Sequence, residues 1–300
     1  MSVKFTVIIP VYNDSEDLQK TLNCISEQDY DIGKVQVIVV DNGSSENIST
    51  VVDQYQFAEL IYEKNNLNSP YSCRNRGIEQ AKGDIIVFLD ATCKPSNRWL
   101  LSGEKCMENT GLQIIGGDVK FDFKDKITAG KIFDSVLHIR MKESIKERGI
   151  APTANLFVYA ECFKKLGKFK EGIRSGGDVE WTKNATENGY VIGFCKNARV
   201  YKTARTFTEL IKKRWRVSLH KPRISLENGE SFIIYPHIRN ILVPASPFRL
   251  MKEKEKLIPN EYNMSFFKYW FVSQTLRYVV SLAKIIGHLK VKSNKSNEII

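Results

Sequence analysis

FTVIIPVYND, residues 5–14, decides the fold: a nearly unbroken apolar run that turns polar abruptly at Asn13. Such a run reads as a strand buried on both faces. The pattern recurs as VQVIVVD (35–41), AELIYE (58–63) and DIIVFLD (84–90), with polar stretches of helix length between. Strands and helices alternating in this way predict an α/β fold wound on both sides of a mostly parallel sheet. Asp14 or Ser15 is expected to cap a helix through about Gln28. Ser69-Pro70 opens another through Ala81, closed by Gly83.

Ligands in such folds collect at the carboxyl ends of the strands. Polar groups stand at three of those ends: Tyr12-Asn13-Asp14, Asp41-Asn42-Gly43-Ser44 and Asp90. Each cluster also suits an ordinary turn. Beyond residue 112 the sequence predicts a strand at 113–121, a helix over about 126–147, a strand at 154–160 and a helix after Gly177. After about residue 221 it reads as irregular, with Pro222, Pro236, Pro244 and Pro247, and it ends in an aromatic, basic stretch over about 262–292. The division expected is a catalytic domain over 1–220 and an appendage over 221–300.

The chain has 300 residues, 42% of them hydrophobic, and a formal net charge of +11, which favours anionic partners. No RRM, helix-turn-helix or zinc pattern is present, so no nucleic-acid partner is expected. The six cysteines have no CxxC spacing, which argues against a zinc site or a disulfide framework and for a reducing, cytoplasmic setting. The first apolar run is too short for a signal-peptide core.

Taken in order, VIIPVYND (7–14), VIVVDNGSS (37–45), SCRNRGIEQAKGDIIVFLDA (72–91), GKFKEGIRSGGDVEW (167–181) and ARVYKTARTFTELIKKRWR (198–216) resemble glycosyltransferase family 2. The resemblance spans about residues 4–216. It implies a GT-A fold, Rossmann-like with flanking helices, here with a C-terminal helical appendage. It also implies an inverting transferase that moves a sugar from a nucleotide-diphosphate donor, a UDP-sugar, to a glycan or lipid-linked acceptor in polysaccharide biosynthesis. The other reading is a catalytically silent relative that binds nucleotide or glycan as a scaffold.

On this resemblance Pro10, Tyr12 and Asp14 shape the base and ribose pocket. Asp41, with Asn42 beside it, accepts hydrogen bonds from base or ribose, and Arg74 lies near the nucleotide. Asp90, as the first acid of the DxD motif, lies on the ribose or donor sugar, with Thr92 also on the donor. Asp178 is the general base for the acceptor hydroxyl, with Glu180 as the alternate. Asp178 would equally serve as the N-cap of the helix that follows, Arg74 as a solvated surface residue, and Trp181 as core.

The family's metal, Mg²⁺ or Mn²⁺, is held by the last acid of DxD and often a later histidine. Here Thr92 and Lys202 stand at those positions, and Asp90 at most remains as a ligand. The departure leans toward metal-independent transfer, with Lys202 neutralising the leaving diphosphate, helped by Arg199, Arg205 or Arg214. Lys202 as one more solvated lysine is the competing reading. The terminal stretch reads as an amphipathic helix, with Tyr269, Trp270 and Tyr278 at headgroup level on an anionic membrane surface, or else folded onto the core.

Overall fold

The computed structural model describes residues 3–63, 69–124, 126–173, 175–227, 231 and 233–297. The opening run is β1 (Phe5–Val11), in which every residue but Pro10 is buried. From it the chain continues through α1 (Ser15–Ser26), β2 (Val35–Asp41), α2 (Ser49–Val52), β3 (Ala58–Tyr62), α3 (Pro70–Gln80) and β4 (Ile85–Leu89). Next come β5 (Cys93–Pro95), α4 (Trp99–Thr110), β6 (Ile114–Asp122), α5 (Ala129–Leu137), α6 (Met141–Arg148) and β7 (Asn155–Tyr159). The remaining elements are α7 (Ala160–Leu166), α8 (Gly177–Glu187), β8 (Ile192–Thr203), α9 (Phe207–Glu227), α10 (Tyr235–Leu242), α11 (Pro247–Leu257) and α12 (Phe266–Asn297).

The strands form one sheet in the order β3-β2-β1-β4-β7-β6-β8-β5. β1 pairs in parallel with both β2 and β4, and β2 with β3, which is the doubly wound half predicted. The other half is mixed: β7 is antiparallel to β4 and β6, β8 is parallel to β6, and β5 is antiparallel to β8. The chain leaves β1 in opposite directions toward β2 and β4, so the crevice for a ligand opens beyond the ends of β1 and β4.

Ser69 caps α3 by accepting from the Ser72 amide, as its position before Pro70 predicts. Asp14 holds the N-cap position of α1, but its side chain makes no capping bond. Gly83 is required by proximity rather than by a left-handed turn. A Cβ there would lie 2.6 Å from the Phe5 carbonyl carbon, so this turn packs directly on the β1 backbone.

By contacts the chain falls into two compact units, Met1–Asp122 with Ile139–Thr203, and Phe123–His138 with Ala204–Ile300. The second unit thus takes in Phe123–His138 as well as the chain from Ala204 onward. The first contains the sheet and a core that includes Ile8, Phe88, Trp99 and Phe157. Fully burying such a side chain contributes about 1.5–3 kcal/mol. The second has its own core, including Ile132, Phe133, Leu210, Leu250, Tyr269 and Leu276.

Two expectations are corrected here. The single helix over 126–147 is two, α5 and α6, separated at Ile139, whose φ of 47° no helix tolerates and a β-branched residue rarely adopts. The chain passes from one unit to the other at that break. The segment after 221, expected to be irregular, is mostly helical in its described residues. Pro236 and Pro247 occupy first-turn positions of α10 and α11, where a missing N–H costs nothing, so these two prolines, read as marks of irregular chain, open helices, while Pro222 lies inside α9.

Candidate active site

At the ends of β1 and β2 two loops clasp each other. Asp41, buried, takes the Ser44 amide (3.0 Å) and hydroxyl (2.6 Å) on one oxygen, Oδ1. The Asn13 amide donates to Ser44 Oγ at 2.8 Å, while Asn13 Oδ1 accepts from the Ser45 amide at 2.7 Å. Asn13 needs a φ of 49° to do this, a conformation that Asn accepts more readily than most residues. Beside them Asn42 Oδ1 is buried with no donor opposite it among the described residues, an acceptor that a base N–H would satisfy. Tyr12 is exposed at the crevice edge. Burial pushes the Asp14 carboxyl up to about 6, with Asp17 adding to the rise and Lys202 opposing it.

Asp90, beyond β4, is held between two buried cations. Arg74 Nη2 reaches its Oδ1 at 2.9 Å and Lys202 Nζ its Oδ2 at 3.1 Å. Arg74 is therefore not the solvated surface residue a helix position suggested. It is 4% exposed, donates to the Pro70 carbonyl at 3.2 Å, and lies 5.4 Å from the centre of the Tyr71 ring. Lys202 is 3% exposed, which removes the solvated reading for it too. The antiparallel register of β5 and β8 sets Lys202 against Cys93, so its ammonium donates to Thr92 Oγ1 and lies 3.6 Å from Cys93 Sγ.

This set does not fit a divalent cation. Both Asp90 oxygens face cations, and the Thr92 hydroxyl faces an ammonium. Among the described residues no cluster of three His, Cys, Asp or Glu side chains could hold a metal ion. Hard divalent cations need several oxygen ligands, and a lysine at this point repels them.

Asp178 lies in the first turn of α8. The N-cap is Gly176, whose φ of 91° lets the chain turn sharply into the helix, so the capping role expected of Asp178 is not what holds it. Instead Oδ1 accepts from the Tyr71 hydroxyl at 2.9 Å, and Oδ2 accepts from the Thr153 amide at 3.2 Å. Tyr71 also receives the Gly176 amide, at 3.1 Å. Its ring packs so closely that a Cβ on Gly177 would come within 2.9 Å. Burial, then the Asp178 charge, pushes the Tyr71 phenol well above its ordinary range, so it stays protonated and donates.

Glu180 is exposed. Two residues along a helix turn it by about 200° from Asp178, so the two acids do not share a face. Trp181 is core, stacked on Phe163 at 4.6 Å with its indole N–H on the Gly167 carbonyl.

Tyr71 and Thr153 were not singled out from the sequence. No motif marks them, and only the position of Tyr71 three residues before Arg74 hints at its place. A hydrogen-bonded and stacked path thus runs from Asp178 through Tyr71 and Arg74 to Asp90 and Lys202. The expected helpers are spent elsewhere: Arg199 on Asp118 at 3.1 Å, and Arg205 on Asp134 at 3.3 Å. Arg214 is half-buried in the second unit, and desolvation lowers its pKa.

The profile described as glycosyl transferase family 2 matches residues 6–160. Glycosyltransferase AglE of Haloferax volcanii is 42% identical over 216 residues, covering 71% of this chain and 71% of AglE. Among solved structures, the mannosyltransferase PcManGT of Pyrobaculum calidifontis, in complex with GDP-Man and Mn²⁺, aligns with a TM-score of 0.62 at 19% identity, over 96% of this chain and 88% of that one. TarS 1–349 of S. aureus, in complex with UDP-GlcNAc, aligns with a TM-score of 0.56 at 17% identity, over 94% and 90%. At these identities the structural likeness establishes the fold, which is the GT-A fold expected from the sequence.

Proposed function

The chain belongs to glycosyl transferase family 2, and from that membership we propose that it transfers a sugar with inversion, from a UDP-sugar to a glycan or lipid-linked acceptor, without a divalent metal. The observation that carries this reading is Asp90 held between Arg74 and Lys202. Two cations on one carboxylate leave this triad with a net positive charge beside the strand ends where a diphosphate would lie. The carrier of that charge is a side chain, whereas PcManGT has been solved with Mn²⁺.

In the reaction Asp178 takes the proton of the acceptor hydroxyl as its oxygen bonds to the anomeric carbon. The bond to the diphosphate breaks on the opposite face, and the electron pair leaves with the phosphate oxygen. Lys202 stabilises that charge as it grows. At about 4 Å and an effective dielectric of about 20, such a pair interacts by about 4 kcal/mol before desolvation. Asn42 and Asp41 supply acceptors for base and ribose. The six free cysteines suit a cytoplasmic site of action. The scaffold reading is not favoured, since Asp178 is held by Tyr71 and Thr153 in a manner that a silent fold would not need.

Donor hydrolysis or transfer is expected to persist in EDTA. Lys202→Ala is expected to lose it by about 100-fold or more, a loss comparable to removing an electrostatic stabiliser, with no rescue by Mn²⁺. Turnover that collapses in EDTA and returns with Mn²⁺ overturns the metal-independent reading. Retained turnover in Lys202→Ala overturns the role of the lysine.

A further inference from the structure

Residues 204–300 contain 18 Lys and Arg against 7 Asp and Glu, so the whole formal net charge of +11 falls in this segment. The same segment holds most of the large apolar side chains left in solvent. On α12, Phe267, Phe271, Tyr278, Leu282 and Leu289 are all exposed, Phe267 by 71%. At about 100° and 1.5 Å per residue they lie within an arc of roughly 60° and form a stripe about 33 Å long.

The other side of α12 is the one spent on the core, where Tyr269, Val272, Leu276 and Ala283 are buried. A helix that buries one side ordinarily turns polar residues to water on the other. This one turns aromatics and leucines. α10 buries no residue, yet it exposes Tyr235, Ile238 and Leu242 at the i, i+3, i+7 spacing of a helix face. α11 exposes Phe248 and Met251, with the Lys252 ammonium 4.7 Å from the Phe248 ring centre. Among the described residues no helix is long and apolar enough to cross a membrane.

We propose that the exposed faces of α10, α11 and α12 dock on an anionic phospholipid bilayer, with the apolar side chains in the acyl boundary and the lysines and arginines on the headgroups. Charge selects this occupant. A second copy of the chain would bring the same cations against themselves, whereas an anionic leaflet neutralises them. The anchors differ from those expected of the sequence. Tyr269 is 2% exposed and packs on Phe133 at 5.0 Å, and Trp270 is half-buried. Phe267 and Phe271 take their place beside Tyr278. The inference goes beyond the transfer chemistry and holds whichever donor the first unit takes.

The full chain is sedimented with phosphatidylglycerol–phosphatidylcholine vesicles and with phosphatidylcholine alone, at low and high salt. Binding to the anionic vesicles only, weakened by salt, is expected. Phe271→Ser combined with Leu282→Ser should weaken it on the order of tenfold per side chain. Both positions are exposed, so the far-UV circular dichroism should not change. Lys252→Glu with Lys254→Glu should weaken binding without touching the apolar stripe. The proposal fails if the wild-type chain stays in the supernatant with anionic vesicles, or if the serine variant binds as the wild type does. It fails equally if the chain is a dimer in solution that Phe271→Ser converts to monomer, because the stripe is then covered by a second copy.

Discussion

Tyr71 joins Asp178, the proposed base, to Arg74, on the proposed donor side, through one hydroxyl and one ring face. Its hydroxyl fixes Asp178 Oδ1 and its ring lies beside Arg74. A hydrogen bond to a charged partner contributes about 1.5–3 kcal/mol. If that bond orients Asp178 for proton abstraction, Tyr71→Phe lowers kcat by about 10- to 100-fold and leaves the KM for donor near the wild-type value. A residue of purely structural worth would lower the melting temperature and leave kcat alone. Steady-state kinetics with donor and acceptor varied separately distinguish the two. The placement of Asp41 and Asp90 at strand ends and of Asp178 after a glycine turn was legible in the sequence, because local pattern fixes such positions. Tyr71 was not, because its partner lies 107 residues away and only the packing of α3 against the start of α8 brings them together. The burial of Lys202 was hidden for the same reason: the register of β5 on β8 decides it.

Elements built from apolar runs were legible to within a residue or two: β1, β2 and β4 because a strand buried on both faces needs no partner to be recognised, and β3 by its bounds, although it lies at the sheet edge with no residue buried. α5 was misread because its role is tertiary. Its Asp134 is fully buried, with His138 Nδ1 at 2.8 Å from Oδ1 and the Arg205 amide at 3.0 Å on Oδ2, clasping α5 to the segment that leads into α9. Burial alone would raise the Asp134 pKa, but the His138 and Arg205 bonds outweigh it and hold the carboxyl far below its ordinary range. Its contribution is thus complete above the unfolded value of 3.8 and is lost as pH falls through the depressed one. Burial likewise depresses His138 from 6.5, with Lys213 and Arg214 adding to the effect and Asp134 opposing it. A base kept neutral in the fold takes up its proton on unfolding, so this contribution is complete above 6.5 and declines below it. Both effects weaken the second unit in acid. Asp134→Asn strands the arginine and should cost about 3 kcal/mol. Hydrogen exchange in α5 and α9 across urea would read that loss, and unchanged protection would show that the clasp contributes nothing.

At the scale of the molecule, two cores in two units lead to an expectation about unfolding. The first core belongs wholly to the unit with the sheet and the second wholly to the helical unit. Calorimetry should therefore resolve two transitions. If UDP is the donor nucleotide, as proposed, it binds at the strand ends of the first unit, so at about 100 times its dissociation constant it should stabilise that unit by about 2.7 kcal/mol and leave the other transition in place. Salt should act the opposite way. Residues 1–203 contain as many Asp and Glu as Lys and Arg, whereas the excess of +11 is concentrated in 204–300. Self-repulsion therefore burdens the second unit, and screening relieves it: the Debye length shrinks from about 30 Å at 0.01 M to about 8 Å at 0.15 M. The second transition should rise between those salt concentrations while the first barely moves. One transition, displaced as a whole by nucleotide and by salt alike, would mean that the two cores unfold as one.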